Sequence, residues 1–189
     1  MISAIVLAAG KSTRMGRQKM LMPWGDTTVL GKVVQTLRNS GVKEVILVAN
    51  PEVSARLTDR GLRIALNSTG EMLTSLQLGL QALNPSAQAA LICLGDQPQM
   101  EERSVRAVCE TFLKGKPNLV VPSYRMRRGH PWLAARPLWG EILALGENQS
   151  MREFLNNHAD EIQYVNLDTP TILQDLDTLE DYLKYKPGM

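Results

Sequence analysis

Apolar residues in this chain come as short runs separated by helical patterns. The runs at 2–8 (ISAIVLA), 45–49 (VILVA), 62–66 (LRIAL), 90–94 (ALICL) and 119–122 (LVVP) have strand length. They show little polar alternation, which predicts strands mostly buried on both faces. Between them, Val29, Leu30, Val33, Val34 and Leu37 recur at the helical period, with Thr27 or Thr28 as N-cap and Gly41 beyond the end. Leu73, Leu76, Leu80 and Leu83 repeat the pattern, as do Val105, Val108 and Phe112 with Leu113. Strand and helix in alternation predict a mostly parallel, Rossmann-like sheet covered on both faces, a three-layer α/β/α sandwich.

After Pro122 the rhythm changes. A basic loop SYRMRRGHP precedes a short apolar stretch WLAA, a helix over 137–145, a second from Ser150 to about Asn157, a strand IQYVNL and a last helix starting near Asp177. With 189 residues and no linker, repeat or low-complexity segment, the expectation is a single domain, 1–189. Within it, 123–189 reads as a substrate-facing elaboration of the part formed by 1–122.

Composition narrows the function. Hydrophobic residues make up 44% and charged residues 21%, which excludes disorder and fibrous classes. No apolar run approaches the roughly 20 residues that span a bilayer, and the N-terminus carries its charges after the apolar run rather than before it, the reverse of a secretory signal. Cys93 and Cys109 sit inside apolar patterns without metal-binding spacing, which fits a reducing cytoplasm. Aromatics at 5% with no interleaved basic stripe argue against nucleic acid. The net charge of +2 hides a polarity: residues 1–63 hold ten Lys/Arg against four Asp/Glu, and residues 153–189 hold two against eight.

Ligands of open α/β sheets bind beyond the carboxyl ends of the strands, so the segments that follow the strands are where chemistry is sought. After the first strand comes AAGKSTRMGRQK, residues 8–19, with two glycines, four cations and no acid. Such a loop can bring backbone close to an oligophosphate while side chains neutralise it. It is neither a Walker A loop, since Ile5 stands where the first glycine would be, nor a dinucleotide fingerprint, since Ser12 stands where the second would be. Asn50 in place of an acid at the end of the second strand also argues against NAD(P). Leu94-Gly95-Asp96-Gln97-Pro98 places a carboxylate at a strand end, where it can hold Mg²⁺ on substrate phosphates or simply form a turn. The acidic stretch QDLDTLEDY at 174–182 offers a second carboxylate; there Asp177 or Thr178 also reads as an N-cap, with Glu180 and Asp181 in the first helical turn.

The spacing L-A-A-G-x-S-x-R-M-G-x-x-K resembles the signature of the MobA-like nucleotidyltransferases that act on the molybdenum cofactor, the guanylyl- and cytidylyltransferases. The likeness continues in order through MLMPWG at 20–25, 67–79, 94–98, 129–133, Ser150-Met151-Arg152 and 175–181. It implies the nucleotide-diphospho-sugar transferase type of sheet. It also implies that Leu7, Ala8, Ala9 and Gly10 line base and sugar, that Arg14 binds the triphosphate, and that Lys19 lies near the α-phosphate. Asn67, Gly70 and Ser75 would lie against the nucleotide, although Ser and Thr here also read as caps. The G-D-x-P element would supply the metal-binding Asp96. The family's D-I-D-T-P-E-D, with Leu179 in place of proline, would supply Asp177, with Asp175 as the weaker choice. Gly129-His130-Pro131 would lie near the acceptor, with His130, Gly129 and Arg128 as contacts and Arg125 and Arg127 either on the pterin phosphate or solvated. His158 is expected at the surface.

Ala9 stands where the guanylyl branch usually has glycine, which favours CTP. The expectation is therefore a Mg²⁺-dependent, cytoplasmic, monomeric enzyme joining CTP to molybdopterin, with Arg14, Lys19 and Asp96 catalytic. A passing contact with a molybdenum hydroxylase or its chaperone is also implied, with no nucleic acid or membrane partner. GTP use, another acceptor, an oxidoreductase or a cofactor carrier on the same fold are the alternatives.

Overall fold

A computed structural model describes residues 1–12, 15–57, 59 and 61–188. In chain order its elements are β1 (Ile2–Ala8), β2 (Pro23–Trp24), β3 (Thr27–Thr28), α1 (Val29–Asn39), β4 (Glu44–Ala49), α2 (Pro51–Arg56), β5 (Arg63–Leu66), α3 (Met72–Ala82) and β6 (Ala89–Leu94). They continue with α4 (Glu102–Gly115), β7 (Leu119–Tyr124), β8 (Arg127–Arg128), β9 (Trp132–Ala135), α5 (Trp139–Ala144), α6 (Met151–Asn157), β10 (Ile162–Asn166) and α7 (Leu179–Tyr185).

The main sheet runs β10-β7-β9-β6-β1-β4-β5, with β8 paired to β7. β1 is parallel to both β4 and β6, in registers that set Ala8 beside Ala49 and Leu7 beside Leu94. The carboxyl ends of three strands therefore meet at one edge, and their loops begin there. One apolar layer packs α1, α2 and α4 on one face through residues such as Leu37, Val53 and Phe112. The other packs α3, α5 and α6 through Leu76, Ile142 and Phe154. This is the three-layer sandwich, and the buried runs of β1 and β4 hold its centre. At Gly79 of α3 a Cβ would come within 2.4 Å of Ile5 Cγ2, so glycine lets the helix lie directly on β1.

Three expectations change, and one unassigned stretch gains an element. The apolar stretch WLAA is β9, antiparallel to both β6 and β7 in the middle of the sheet. Leu66 is 60% exposed, because 63–66 forms β5 at the edge of the sheet. Leu113 is 61% exposed: in α4 the buried stripe is Ser104, Val105, Val108 and Phe112, and Leu113 turns off it. His158 is not a surface residue. Its ring stacks on Phe154 at 4.4 Å and bonds to the Phe154 carbonyl and Glu141, leaving the side chain 11% exposed.

A third, small core ties the two ends of the chain together. Met15, Met22, Trp24 and Val29 pack with Leu176 and Tyr182, and the Tyr182 hydroxyl donates to the Pro23 carbonyl at 2.6 Å. Thr178 caps α7 in a reciprocal pair with Asp181. Among the described residues, no helix is long and apolar enough to cross a membrane.

Candidate active site

The loop after β1 is held from behind. Asn50 is buried, and its side-chain amide donates to the carbonyls of Ala9 (3.3 Å) and Gly10 (3.2 Å) while its Oδ1 accepts from Val53 N–H at the start of α2. One side chain thus caps a helix and fixes the loop, with Pro51 pre-set at the first helical position. On the other side, buried Gln18 accepts from the Ser12 hydroxyl at 2.9 Å and donates to the Gly10 carbonyl at 3.4 Å. The Ser12 hydroxyl in turn accepts from Lys19 N–H. These bonds hold Ser12 at φ 50°, a left-handed conformation unfavourable for a non-glycine residue. Ala8 and Ala9 are buried, Gly10 is exposed, and Leu7 lines the adjoining cavity. Arg14 lies outside the described residues.

The 67–75 segment closes over that loop. Asn67 is buried, donates to Ser75 Oγ (2.8 Å) and the Glu71 carbonyl, and accepts from Thr69 and Gly70. Ser75 is buried as well and donates to the Glu71 carbonyl. Their polar atoms shape the turn from within. Gly70, at φ +81°, faces Ala9 O and the Lys11 side chain, where a Cβ would stand at 3.4 and 3.7 Å.

Beyond β6, Gly95 N–H extends the ladder to the Leu7 carbonyl, and a Cβ there would press on Ala8, Leu7 and Met20. Asp96 follows. Lys19 Nζ reaches Asp96 Oδ2 at 2.5 Å, Asp177 Oδ1 at 3.8 Å and the Leu176 carbonyl at 3.0 Å. Leu176 N–H also donates to the Asp96 carbonyl, so the tail is laid against the strand end. Residues from three distant parts of the chain therefore surround one positive charge. Two carboxylates already gathered on a cation, beside open space for phosphate oxygens, are a donor set that fits Mg²⁺ or Mn²⁺. Asp175 hydrogen-bonds to the Gln97 amide at 2.6 Å. Burial, with the neighbouring charges of Asp96 and Asp177, raises its carboxyl above the ordinary carboxylate range despite that bond.

Next to these groups a cavity of about 660 Å³ opens over the sheet. Leu7, Ile92, Val121 and Trp132 form an apolar floor, and Arg127, Arg128, His130 and Arg152 also line it. Arg128 is braced, with Nε on Tyr164 Oη at 2.9 Å and Nη1 on Asn156 Oδ1 at 2.8 Å. Arg127 and Arg152 are exposed. Gly129 is packed so tightly that a Cβ would fall 2.4 Å from the Ile172 carbonyl, which accepts from His130 N–H. Burial of the His130 ring lowers its pKa to about 4, although one edge faces the cavity, so the imidazole is neutral at pH 7.

The structure thus brings together Lys19, Asp96 and Asp177 at the strand ends, and Arg128, Gly129 and His130 beside the cavity. Asn50, Gln18, Gln97 and Arg152 complete these groups without having been singled out as site residues. Asn50-Pro51 was readable as a helix start, and Arg152 lies in the matched Ser150-Met151-Arg152 segment. Nothing local in the sequence marks Gln18 or Gln97.

A cation-lined strand edge with paired carboxylates, on this sheet, defines a nucleotidyltransferase. The chain belongs to the MobA-like NTP transferase domain family, whose model matches residues 4–162. It is 24% identical to the molybdenum cofactor cytidylyltransferase of Escherichia coli K12, covering 98% of this chain and 95% of that protein. A molybdenum cofactor guanylyltransferase of Xanthomonas euvesicatoria is 35% identical over 57 residues, 30% of either chain. Among solved structures, Rv0371c of Mycobacterium tuberculosis H37Rv superposes with TM-score 0.87 at 27% identity, covering 97% of this chain and 96% of that one. Its complex with manganese superposes with TM-score 0.82, again at 27% identity, over 100% and 99%.

Proposed function

We propose that this nucleotidyltransferase moves CMP from CTP to the terminal phosphate of molybdopterin, forming the cytosine dinucleotide and pyrophosphate with Mg²⁺. The observation that carries the reading is the convergence of Lys19, Asp96 and Asp177 beside a cation-lined cavity. Residues 1–122 hold the nucleotide, and 123–189 hold the acceptor and complete the metal site. The full-length likeness to a cytidylyltransferase, against a partial one to a guanylyltransferase, supports CTP, as does Ala9, whose methyl crowds the place where guanylyl enzymes usually have glycine.

In the reaction an oxygen of the acceptor phosphate bonds to the α-phosphorus of CTP while the bridge to the β-phosphate breaks and pyrophosphate leaves. The nucleophile is already anionic, so no strong general base is needed, and catalysis reduces to alignment and charge neutralisation. The Ala8–Gly10 backbone, fixed by Asn50, receives base and sugar together with the 67–75 turn. Arg14 contacts the triphosphate, and Lys19 turns from Asp96 toward the α-phosphate. Asp96 and Asp177 would hold the divalent ion, which supplies neutralisation of phosphate charge when bound. The apolar floor receives the pterin, and Arg127, Arg128 and Arg152 its phosphate, while neutral His130 positions it by hydrogen bonding.

Incubation with molybdopterin, Mg²⁺ and each of the four NTPs tests this, with pyrophosphate release as the readout. CTP is expected to be used at least about tenfold better than GTP, a difference of ~1.4 kcal/mol. Preference for GTP would overturn the base assignment, and inactivity with all four would overturn the acceptor.

A further inference from the structure

Two carboxylates of the tail, Asp175 and Asp177, stand close enough to Asp96 for either to complete a cation site. Both residues are exposed, Asp175 with its carboxyl partly shielded, so access alone does not choose between them. Their partners do. The cation position marked by Lys19 Nζ is reached by Asp96 at 2.5 Å and Asp177 at 3.8 Å. Among the described residues, Asp175 has no ion pair with Lys19 within 4.0 Å. Its Oδ1 is instead taken by the Nε2 of Gln97, a side chain only 1% exposed. The same Nε2 lies 3.5 Å from the Ile172 carbonyl. A buried amide bonded to a carboxylate and to a carbonyl of one segment holds that segment in place. What it fixes is the stretch 172–177, also tied to Asp96 by Leu176 N–H and to His130 by the Ile172 carbonyl.

We propose that Asp175 is a positioning residue rather than a ligand of the divalent ion: locked to the amide of Gln97, it anchors the 172–177 stretch so that Asp177 reaches the cation. This rests on the reading of Asp96 and Asp177 as the metal-holding pair. Outer groups of this kind typically contribute about 10–100-fold to metal affinity.

The test swaps the two partners. In Gln97→Glu, two carboxylates face each other and the anchor is lost; in Gln97→Glu/Asp175→Asn, carboxylate and amide have changed places and the hydrogen bond can form again. Mn²⁺ binding is followed by the EPR signal of the free ion, with and without CTP, and each protein's urea midpoint is measured. Gln97→Glu should weaken Mn²⁺ binding about tenfold and lower the midpoint. The swapped pair should recover both, to within about threefold of the native Mn²⁺ affinity, and Asp177→Asn should lose about tenfold or more of that affinity. If Asp175→Asn alone loses as much Mn²⁺ affinity as Asp177→Asn, or the swap recovers nothing in either readout, the proposal is overturned. Should the native protein bind no Mn²⁺ under either condition, the metal pair itself is wrong. The anchor is then decided by the urea midpoints alone, which carry no assumption about metal or substrate.

Discussion

The two walls of the cleft are built on opposite plans. On the side proposed for the nucleotide, Asn50, Gln18, Asn67 and Ser75 are buried, and they bond inward to hold backbone in place. On the side proposed for the acceptor, Arg127 and Arg152 reach the cavity as exposed side chains, and among the described arginines lining it only Arg128 is braced. A wall of fixed backbone presents one geometry to a ligand that varies only in its base. A wall of long cations over an apolar floor can adjust to a larger ligand. Asp96 and Asp177, the proposed metal-holding pair, lie at the seam between them, and the first wall should therefore fail through loss of shape, the second through loss of charge.

The largest effect is expected at the seam. Asp96→Ala removes the closest carboxylate to the Lys19 ammonium and should lower turnover by about 10²–10³-fold while leaving the thermal midpoint nearly unchanged. A variant that keeps native turnover with CTP and molybdopterin would show that the seam is not where the chemistry lies. Next comes the acceptor wall: Arg152→Ala should raise the KM for the acceptor about tenfold, leaving both the KM for CTP and the urea midpoint where they were. A shift in the CTP constant of equal size would erase the distinction between the walls.

The nucleotide wall is expected to respond through stability. Asn50→Ala deprives the Ala9 and Gly10 carbonyls and the Val53 N–H of their partner at once. The cost should be about 1–3 kcal/mol, read from urea unfolding, together with a raised KM for CTP and an unaltered KM for the acceptor. If stability is unchanged while the CTP constant rises, Asn50 touches the nucleotide itself and the wall is not held from behind.

How far this division could be read in advance differs from element to element. β1, β4 and β6 were legible because both their faces are buried, so their apolar runs are unbroken. β9 showed only as a short apolar stretch, because four residues are too few to carry a period, and its place depends on hydrogen bonds to β6 and β7 formed only in the folded chain. The run 62–66 was legible as a strand but not as an edge, since edge position is a property of the sheet. Leu113 misled because an apolar residue beside a helical stripe looks like part of it. The carboxylates themselves stood out by their motifs. Their meeting did not, because Asp177 is brought to Lys19 by Trp24, Leu176 and Tyr182 packing together, a contact no local pattern records. The opposed charge of the chain's two ends was the one long-range hint of it.

The smallest expected effect concerns His130, which sits on the acceptor wall yet is held as the nucleotide wall is, through its backbone and by burial. Its pKa is lowered from 6.5 to about 4 by burial, so between those values the unfolded chain binds a proton that the folded one does not. Stability contributed by the neutral ring is complete above pH 6.5 and is lost as pH falls toward 4, levelling off below. Between pH 7 and pH 5 the loss should be ~1–2 kcal/mol, less than the full shift implies because part of the ring faces the open cavity. His130→Asn removes that proton uptake, so its urea midpoint should fall less over the same interval than the native one does. An equal fall in both proteins would mean that the ring is as solvated as Arg127 and Arg152, and would return His130 to the adaptable wall.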